Sequence, residues 1–150
     1  MGMRVTVRAI AEADFEQWLT LWAGYNRFYG RATMPEEITR TTWARFFDDA
    51  EPVHALVAER DGNLIGVTHY LFHRSTTMVE RVCYLQDLFT EESARGAGVG
   101  RALIEAVYEE ARRAGLGKVY WQTHETNATA MRLYDQVAER SGFVVYRKLV

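Results

Sequence analysis

Arg95-Gly96-Ala97-Gly98-Val99-Gly100-Arg101 lies between two runs of different period. Tyr84-Leu85-Gln86-Asp87-Leu88-Phe89 before it is strand-like. After it, Val99, Ala102, Leu103, Ala106 and Val107 recur at helical steps. A strand, a glycine loop and a helix N-terminus in that order gather backbone N–H groups and the positive end of a helix dipole at one point. Such a point binds an anion. Glycine lets the main chain approach a phosphate without an intervening Cβ, and Arg95 adds a planar two-pronged donor. Spacing excludes two familiar loops. The dinucleotide fingerprint needs a sixth-position glycine, where this chain has Arg101 counted from Gly96 and Leu103 counted from Gly98. The P-loop ends Gly-Lys-Ser/Thr, whereas here the order is Gly100-Arg101-Ala102.

Outward from the loop the chain reads as one domain, 1–150. Its 150 residues are 48% hydrophobic and 25% charged, which suits a folded core rather than disorder. A single cysteine, Cys83, excludes an internal disulfide framework and a multi-cysteine zinc site. His54 and His124 lack partners at metal-ligand spacing, so no metal is expected. A net charge of −2 gives no basis for nucleic-acid binding. No apolar run reaches the ~20 residues of a membrane span. The stretch Met1 to Val7 has no signal-peptide core, so a cytoplasmic protein is expected.

The first strand is Arg4–Ala9. A helix opens at Ala11 and carries Phe15, Trp18, Trp22, Tyr25 and Tyr29 on one face. That stripe suits core or subunit contact, and at its far end Tyr25, Phe28 and Tyr29 suit an ammonium by cation–π attraction. Glu36–Phe47 reads as a second helix with Ile38, Thr42 and Phe46, and Trp43 and Phe47, on a shared face. Strands follow at Val53–Glu59, Leu64–Phe72 and Met78–Phe89, with Asp61-Gly62 as the hairpin turn. After the loop helix come a strand, Lys118–Thr123, a helix from Asn127, and a closing strand, Phe143–Val150. The order β-α-α-β-β-β-α-β-α-β is an α/β (α+β) layered fold.

Arg95-x-x-Gly98-x-Gly100 resembles the acyl-CoA pyrophosphate loop of the GCN5-related N-acetyltransferase (GNAT) superfamily. Asn127 followed by a helix bearing Leu133-Tyr134 resembles that superfamily's second signature. With Tyr84–Phe89 and Tyr120–Asn127, the chain looks most like the small yeast-type histone and polyamine acetyltransferases and their bacterial relatives. The resemblance covers nearly the whole chain. It implies a mixed, mostly antiparallel, splayed sheet with helices on both faces, acetyl-CoA as co-substrate, and acetyl transfer to a primary amine by direct attack in a ternary complex. Phosphates would rest on Arg95, Gly96, Ala97, Gly98, Val99, Gly100 and Arg101. The pantetheine arm would take backbone bonds from Leu88, Phe89 and Thr90 and a side-chain bond from Asn127, with Ala130 beside it. Tyr134 would protonate the leaving thiolate. Many relatives place a carboxylate where this chain has Gln86, an amide that cannot act as a base. Asp87 is the residual base candidate, with a water chain as the alternative. His69 and His73 read as sheet or surface residues. Polyamines, amino acids, amine drugs and lysine side chains all stay open as acceptors, and a homodimer is expected. A second reading is a non-catalytic acyl-CoA sensor or interaction module on the same fold. A third, weaker one is a different phosphate-ligand protein.

Overall fold

The structure, a computed structural model, describes residues 4–150. The reading of the N-terminus rests partly on Met1–Met3, which lie outside the described residues. β1 (Thr6–Ala9), β2 (Val53–Arg60), β3 (Asn63–His73), β4 (Val82–Thr90) and β5 (Val119–Tyr120) form one sheet in the order β1-β2-β3-β4-β5. The first four run antiparallel and β5 lies parallel to β4. Asp61 and Gly62 join β2 to β3 with φ of 52° and 77°, the left-handed pair that a two-residue hairpin requires.

Both faces of the sheet are covered, so β2 and β3 read as nearly unbroken apolar runs. Leu56, Ala58, Tyr70, Phe72, Cys83 and Leu85 pack under α3 (Val99–Arg113) and α4 (Ala128–Val137). Val57, Leu64 and Val67 pack under α1 (Phe15–Phe28) and α2 (Glu36–Arg45). Gly66 sets how closely α3 approaches: a Cβ there would lie 2.8 Å from Val99 Cγ1. Gly24 does the same for α1, where a Cβ would lie 2.8 Å from Phe89 Cζ. The helix anchored by Val99 and Leu103 therefore starts directly over the centre of the sheet.

β1 is tied to the start of α1 by a local lock. Arg8 donates to both oxygens of the buried Asp14 at 2.7 and 2.9 Å, and Asp14 Oδ2 also accepts from the Ala11 N–H at 2.8 Å. The aromatic stripe is core over most of its length. Trp18 and Trp22 stack at 5.6 Å, and Trp22 and Tyr25 at 5.9 Å.

Three expectations need correction. The closing strand Phe143–Val150 does not form: residues 138–150 are irregular and every one is exposed. Strand Lys118–Thr123 shrinks to the two paired residues of β5. On α2 the packed residues are Thr39, Trp43 and Phe46, whereas Ile38 is 47% exposed. Trp22 Nε1 donates to Thr39 Oγ1 at 3.0 Å, so a polar residue rather than Ile38 joins Trp43 and Phe46 on the packed face. Among the described residues no helix is long and apolar enough to cross a membrane.

Candidate active site

β4 and β5 share only two register positions, Cys83 with Val119 and Tyr84 with Tyr120. Just beyond them β4 carries a bulge. Asp87 faces His69 and Leu85 faces Tyr70, so Gln86 is the extra residue, exposed and outside the ladder. A bulge bends its strand, and here it coincides with the point where the sheet forks. Past Tyr84, no strand among the described residues pairs with the β5 side of β4. The main chain of Leu88, Phe89 and Thr90 thus borders an open cleft.

At one end of the cleft stands the glycine loop. Gly96 and Gly98 have φ of 84° and 81°, a backbone region that side-chain-bearing residues rarely adopt, and a Cβ on either would meet nothing within 4 Å. Gly98 is the N-cap of α3 and its carbonyl takes the first helical bond, from Ala102 N–H at 3.0 Å. The N–H groups of Gly98, Val99, Gly100 and Arg101 are therefore the unpaired donors of this helix start. Arg95 through Gly98 are exposed. Arg95 donates Nε–H to Thr90 O at 3.1 Å, and its guanidinium lies 5.9 and 5.7 Å from the rings of Phe28 and Phe89. The Arg101 side chain turns instead to Gln136 and Glu105, tying α3 to α4. Gly100 faces α4, where a Cβ would lie in ordinary contact, 3.4 Å from Leu133 Cδ2. A groove lined by Gln17, Gly24, Phe28, Phe89 and Arg95 among others includes neither Asn127 nor Tyr134.

α4 supplies the other wall. Asn127 sits at its N-cap, yet its side chain bonds no helix N–H and instead donates Nδ2–H to Thr123 Oγ1 at 3.3 Å. The amide oxygen is left for a ligand. Ala130, one turn on, is half-buried on the same helix. Tyr134 packs edge-on to Trp121 at 5.4 Å. Burial, with a smaller effect from Tyr29, pushes its hydroxyl up to about 12. That hydroxyl has no hydrogen-bond partner among the described residues, and no buried side-chain polar atom there is left unpaired, so it is open to solvent.

At the opposite end, side chains from α1, β3 and β4 form a chain of hydrogen bonds. Tyr25 donates to Asp87 Oδ1 at 2.6 Å. His69 Nδ1 meets Asp87 Oδ2 at 2.8 Å, and Trp18 Nε1 donates to His69 Nε2 at 3.1 Å. An indole N–H can only donate, so His69 Nε2 is the acceptor and the proton sits on Nδ1, pointing at Asp87. Burial and then Asp87 raise Tyr25 far above the usual phenol range, which keeps it a donor. Burial and Asp87 also raise Tyr29, against the opposing effect of Arg31. The Arg31 guanidinium lies 5.6 and 5.4 Å from the rings of Tyr25 and Tyr29 and is pinned through Nε–H to Asn26 Oδ1 at 2.9 Å. Its terminal nitrogens bond nothing among the described residues.

The fold therefore brings Tyr25, Tyr29 and Asp87 together and turns Phe28 toward Arg95. Sequence reading missed His69, Trp18 and Arg31. A cross-strand register would have revealed the first, because His69 and Asp87 are direct partners. Arg31 follows a glycine with φ of 77° in an otherwise featureless loop and gave no signal. Cys83 is buried, and burial pushes its thiol up to about 12. No cluster of three metal-ligating side chains occurs among the described residues.

Known proteins resemble the chain in sequence and in fold. Over 97% of its length the chain is 41% identical to the D-amino-acid N-acetyltransferase HPA3 of Saccharomyces cerevisiae, covering 91% of that protein. It is 29% identical to the uncharacterized N-acetyltransferase YhfO of Bacillus subtilis, over 95% of each chain. Its fold matches an aminoglycoside N-acetyltransferase, AAC(6')-Iy, solved with CoA, at a TM-score of 0.84 and 18% identity, covering 99% of this chain and 97% of that one. Residues 14–138 match the Acetyltransferase (GNAT) family, and the chain belongs to that family of acetyltransferases.

Proposed function

We propose that the chain transfers an acetyl group from acetyl-CoA to the primary amine of a small acceptor that also bears a carboxylate, by direct attack in a ternary complex. The observation that carries this reading is the fork between β4 and β5, which leaves the β4 edge past Tyr84 unpaired, together with a glycine cradle at the start of α3, a solvent-open Tyr134 hydroxyl and a charged aromatic cluster on and just after α1. The cradle fits the pyrophosphate: its N–H groups have no partner in the chain and its two left-handed glycines present no Cβ. The edge of Leu88 to Thr90 and the amide of Asn127 would hold the pantetheine arm. When bound, acetyl-CoA supplies the activated acyl carbon.

The chain's own residues do the rest. Asp87 already accepts from Tyr25 and His69, and its remaining lone pairs attract the acceptor's ammonium and relay its proton to water. The new N–C bond forms as the C–S bond breaks. A main-chain N–H near Leu88 stabilises the developing oxyanion. Tyr134, protonated at neutral pH because burial raises it, returns a proton to sulfur. Arg31 selects the acceptor: its free guanidinium edge beside Asp87 pairs a fixed cation with a fixed anion, the complement of a zwitterion. That is the substrate class named for the yeast relative.

Thiol release from acetyl-CoA tests this. Small amino acids of both hands should react at least tenfold faster, in kcat/KM, than amines of equal size without a carboxylate. Arg31→Ala should abolish the preference and leave the acetyl-CoA KM in place. Binding of acetyl-CoA with no release above background for any amine would instead make the chain a sensor.

A further inference from the structure

Asp87 shares its face of the sheet with two tyrosines that belong to neither core cluster. His69, Leu71 and His73 alternate along β3 on the side that α1 covers, since His69 meets Trp18 there. Leu71 pairs with Tyr84, and Tyr84 pairs in turn with Tyr120 on β5. A row across the sheet thus carries Leu71, Tyr84 and Tyr120 on that side. Without the bulge, Gln86 would follow Tyr84 on this face. The extra residue brings Asp87 there instead. Burial, then Tyr120 and Asp87, raise the Tyr84 hydroxyl, which is in keeping with a carboxylate close by.

The two rings are held in place. They stack at 5.0 Å with 28° between their planes. His73 Nδ1 meets the Arg74 carbonyl at 2.8 Å, and a carbonyl only accepts, so that nitrogen carries a proton. In the neutral imidazole Nε2 then accepts from the Tyr120 hydroxyl, at 2.7 Å. Yet the rings are not core. Neither packs in the clusters beneath the helices, and Tyr120 is 38% exposed. They stand at the apex of the fork, at the last pair that β4 and β5 share. An ordered aromatic pair left open beside a charged site suits a flat apolar group. The Lys118 ammonium, 5.7 Å from the Tyr120 ring, turns away a cationic one.

We propose, resting on the zwitterion reading above, that Tyr84 and Tyr120 receive the side chain of the acceptor and favour a neutral aromatic ring. Around Asp87, His69 is buried, and Tyr25 and Tyr29 stand with Arg31 toward α1. The direction left is along β4 to Tyr84. The acceptor then has three fixed contacts: Arg31 for its carboxylate, Asp87 for its ammonium and the tyrosine pair for its side chain. Three contacts to one tetrahedral carbon distinguish its two hands. A side chain too short to reach the rings makes only two of them and leaves the hand unspecified. Alanine therefore reacts in both hands and phenylalanine chiefly in one.

Thiol release from acetyl-CoA by the full chain tests this, as kcat/KM for both hands of alanine, phenylalanine and arginine and for ethylamine. In wild type the hands of alanine should react alike. Those of phenylalanine should differ by about tenfold or more, the effect of burying one ring face. Arginine should fall below the favoured hand of phenylalanine. Tyr84→Ala and Tyr120→Ala should each bring the two hands of phenylalanine together, whereas Tyr120→Phe keeps the ring and should keep most of the difference. Both hands are read on one preparation, so a partly unfolded variant does not move their ratio. Tyr120→Leu serves, with the same expectation, if the alanine variants do not fold. Phenylalanine hands that react alike in wild type, or a difference that survives both alanine variants, would overturn the inference. The zwitterion reading would then still stand on the preference for alanine over ethylamine. Absence of that preference would overturn both.

Discussion

The two ends of the fork are built from different material. The glycine-loop end is main chain: unpaired N–H groups at the start of α3, set by two residues with left-handed φ and contiguous in sequence. The acceptor end is side chain. Trp18 meets His69 across 51 positions and Tyr25 meets Asp87 across 62. A phosphate carries the same charge and shape in every substrate, so a backbone cradle is reusable. An acceptor differs from enzyme to enzyme, and side chains on separate elements can be exchanged without disturbing the cradle. This division predicts that lesions at one end leave the other's Michaelis constant untouched.

The largest effect belongs to the residue between them. Tyr134→Phe should lower kcat by about 10²–10⁴-fold with both KM values little changed, the signature of a group needed in the transition state. Because burial places this hydroxyl at about 12, the wild-type rate should climb with pH as the acceptor amine deprotonates and show no alkaline fall from Tyr134 below about pH 11. A descending limb near pH 9 would assign the proton to another group. Next, His69→Leu would strand the Trp18 N–H in the core and strip Asp87 of a donor. Leaving buried polar groups unpaired costs about 1–3 kcal/mol each, so Tm should drop clearly. The acceptor KM should rise while the acetyl-CoA KM holds. Equal movement of both constants would break the proposed division.

The same contrast governs what the sequence disclosed. Strand, loop and helix around Arg95 were legible because a backbone anion site needs glycines at a short fixed spacing, and local spacing is what a sequence records. The hairpin at Asp61-Gly62 and the buried stripe of α1 were legible for the same local reason. Asp87 was located, but its partner His69 was not, since their meeting depends on the register of β3 against β4. The bulge at Gln86 shifts that register by one residue and leaves no mark in composition. On α2, the bond from Trp22 to Thr39 outweighed the exposed Ile38 as a guide to the packed face. Residues 143–150 carry a strand's composition, yet they are irregular and exposed, because composition alone does not supply the neighbouring edge that a strand needs. Arg95→Ala, third in size, probes the legible end: the acetyl-CoA KM should rise about tenfold with kcat near wild type, since a charge-assisted contact of about 1.5–3 kcal/mol is lost from ground and transition states alike. An acceptor KM that rose in parallel would show Phe28, which stacks on Arg95, to couple the two ends.

The smallest effect should come from a position remote from both ends. Asp14 is buried and accepts two bonds from Arg8, whose side chain is one-third exposed. Arg8 foremost, with the Ala11 N–H, holds its carboxyl below the ordinary range against an opposing effect of burial. A carboxyl lowered by folding contributes stability that is complete above its unfolded value, about 3.9, and is lost as pH falls through the folded value. Asp14→Asn removes that contribution, at about 1–2 kcal/mol for a charge-assisted pair partly open to solvent. The variant should therefore melt lower than wild type at pH 7, and the gap should narrow on acidification below about pH 4. At pH 7 both Michaelis constants should match wild type, because the lock fixes where α1 begins while Tyr25 and Tyr29 stand at its far end. A melting gap that stayed constant down to pH 2 would show that Asp14 acts through shape rather than charge. A changed acceptor KM would show that the start of α1 sets the pocket at its end.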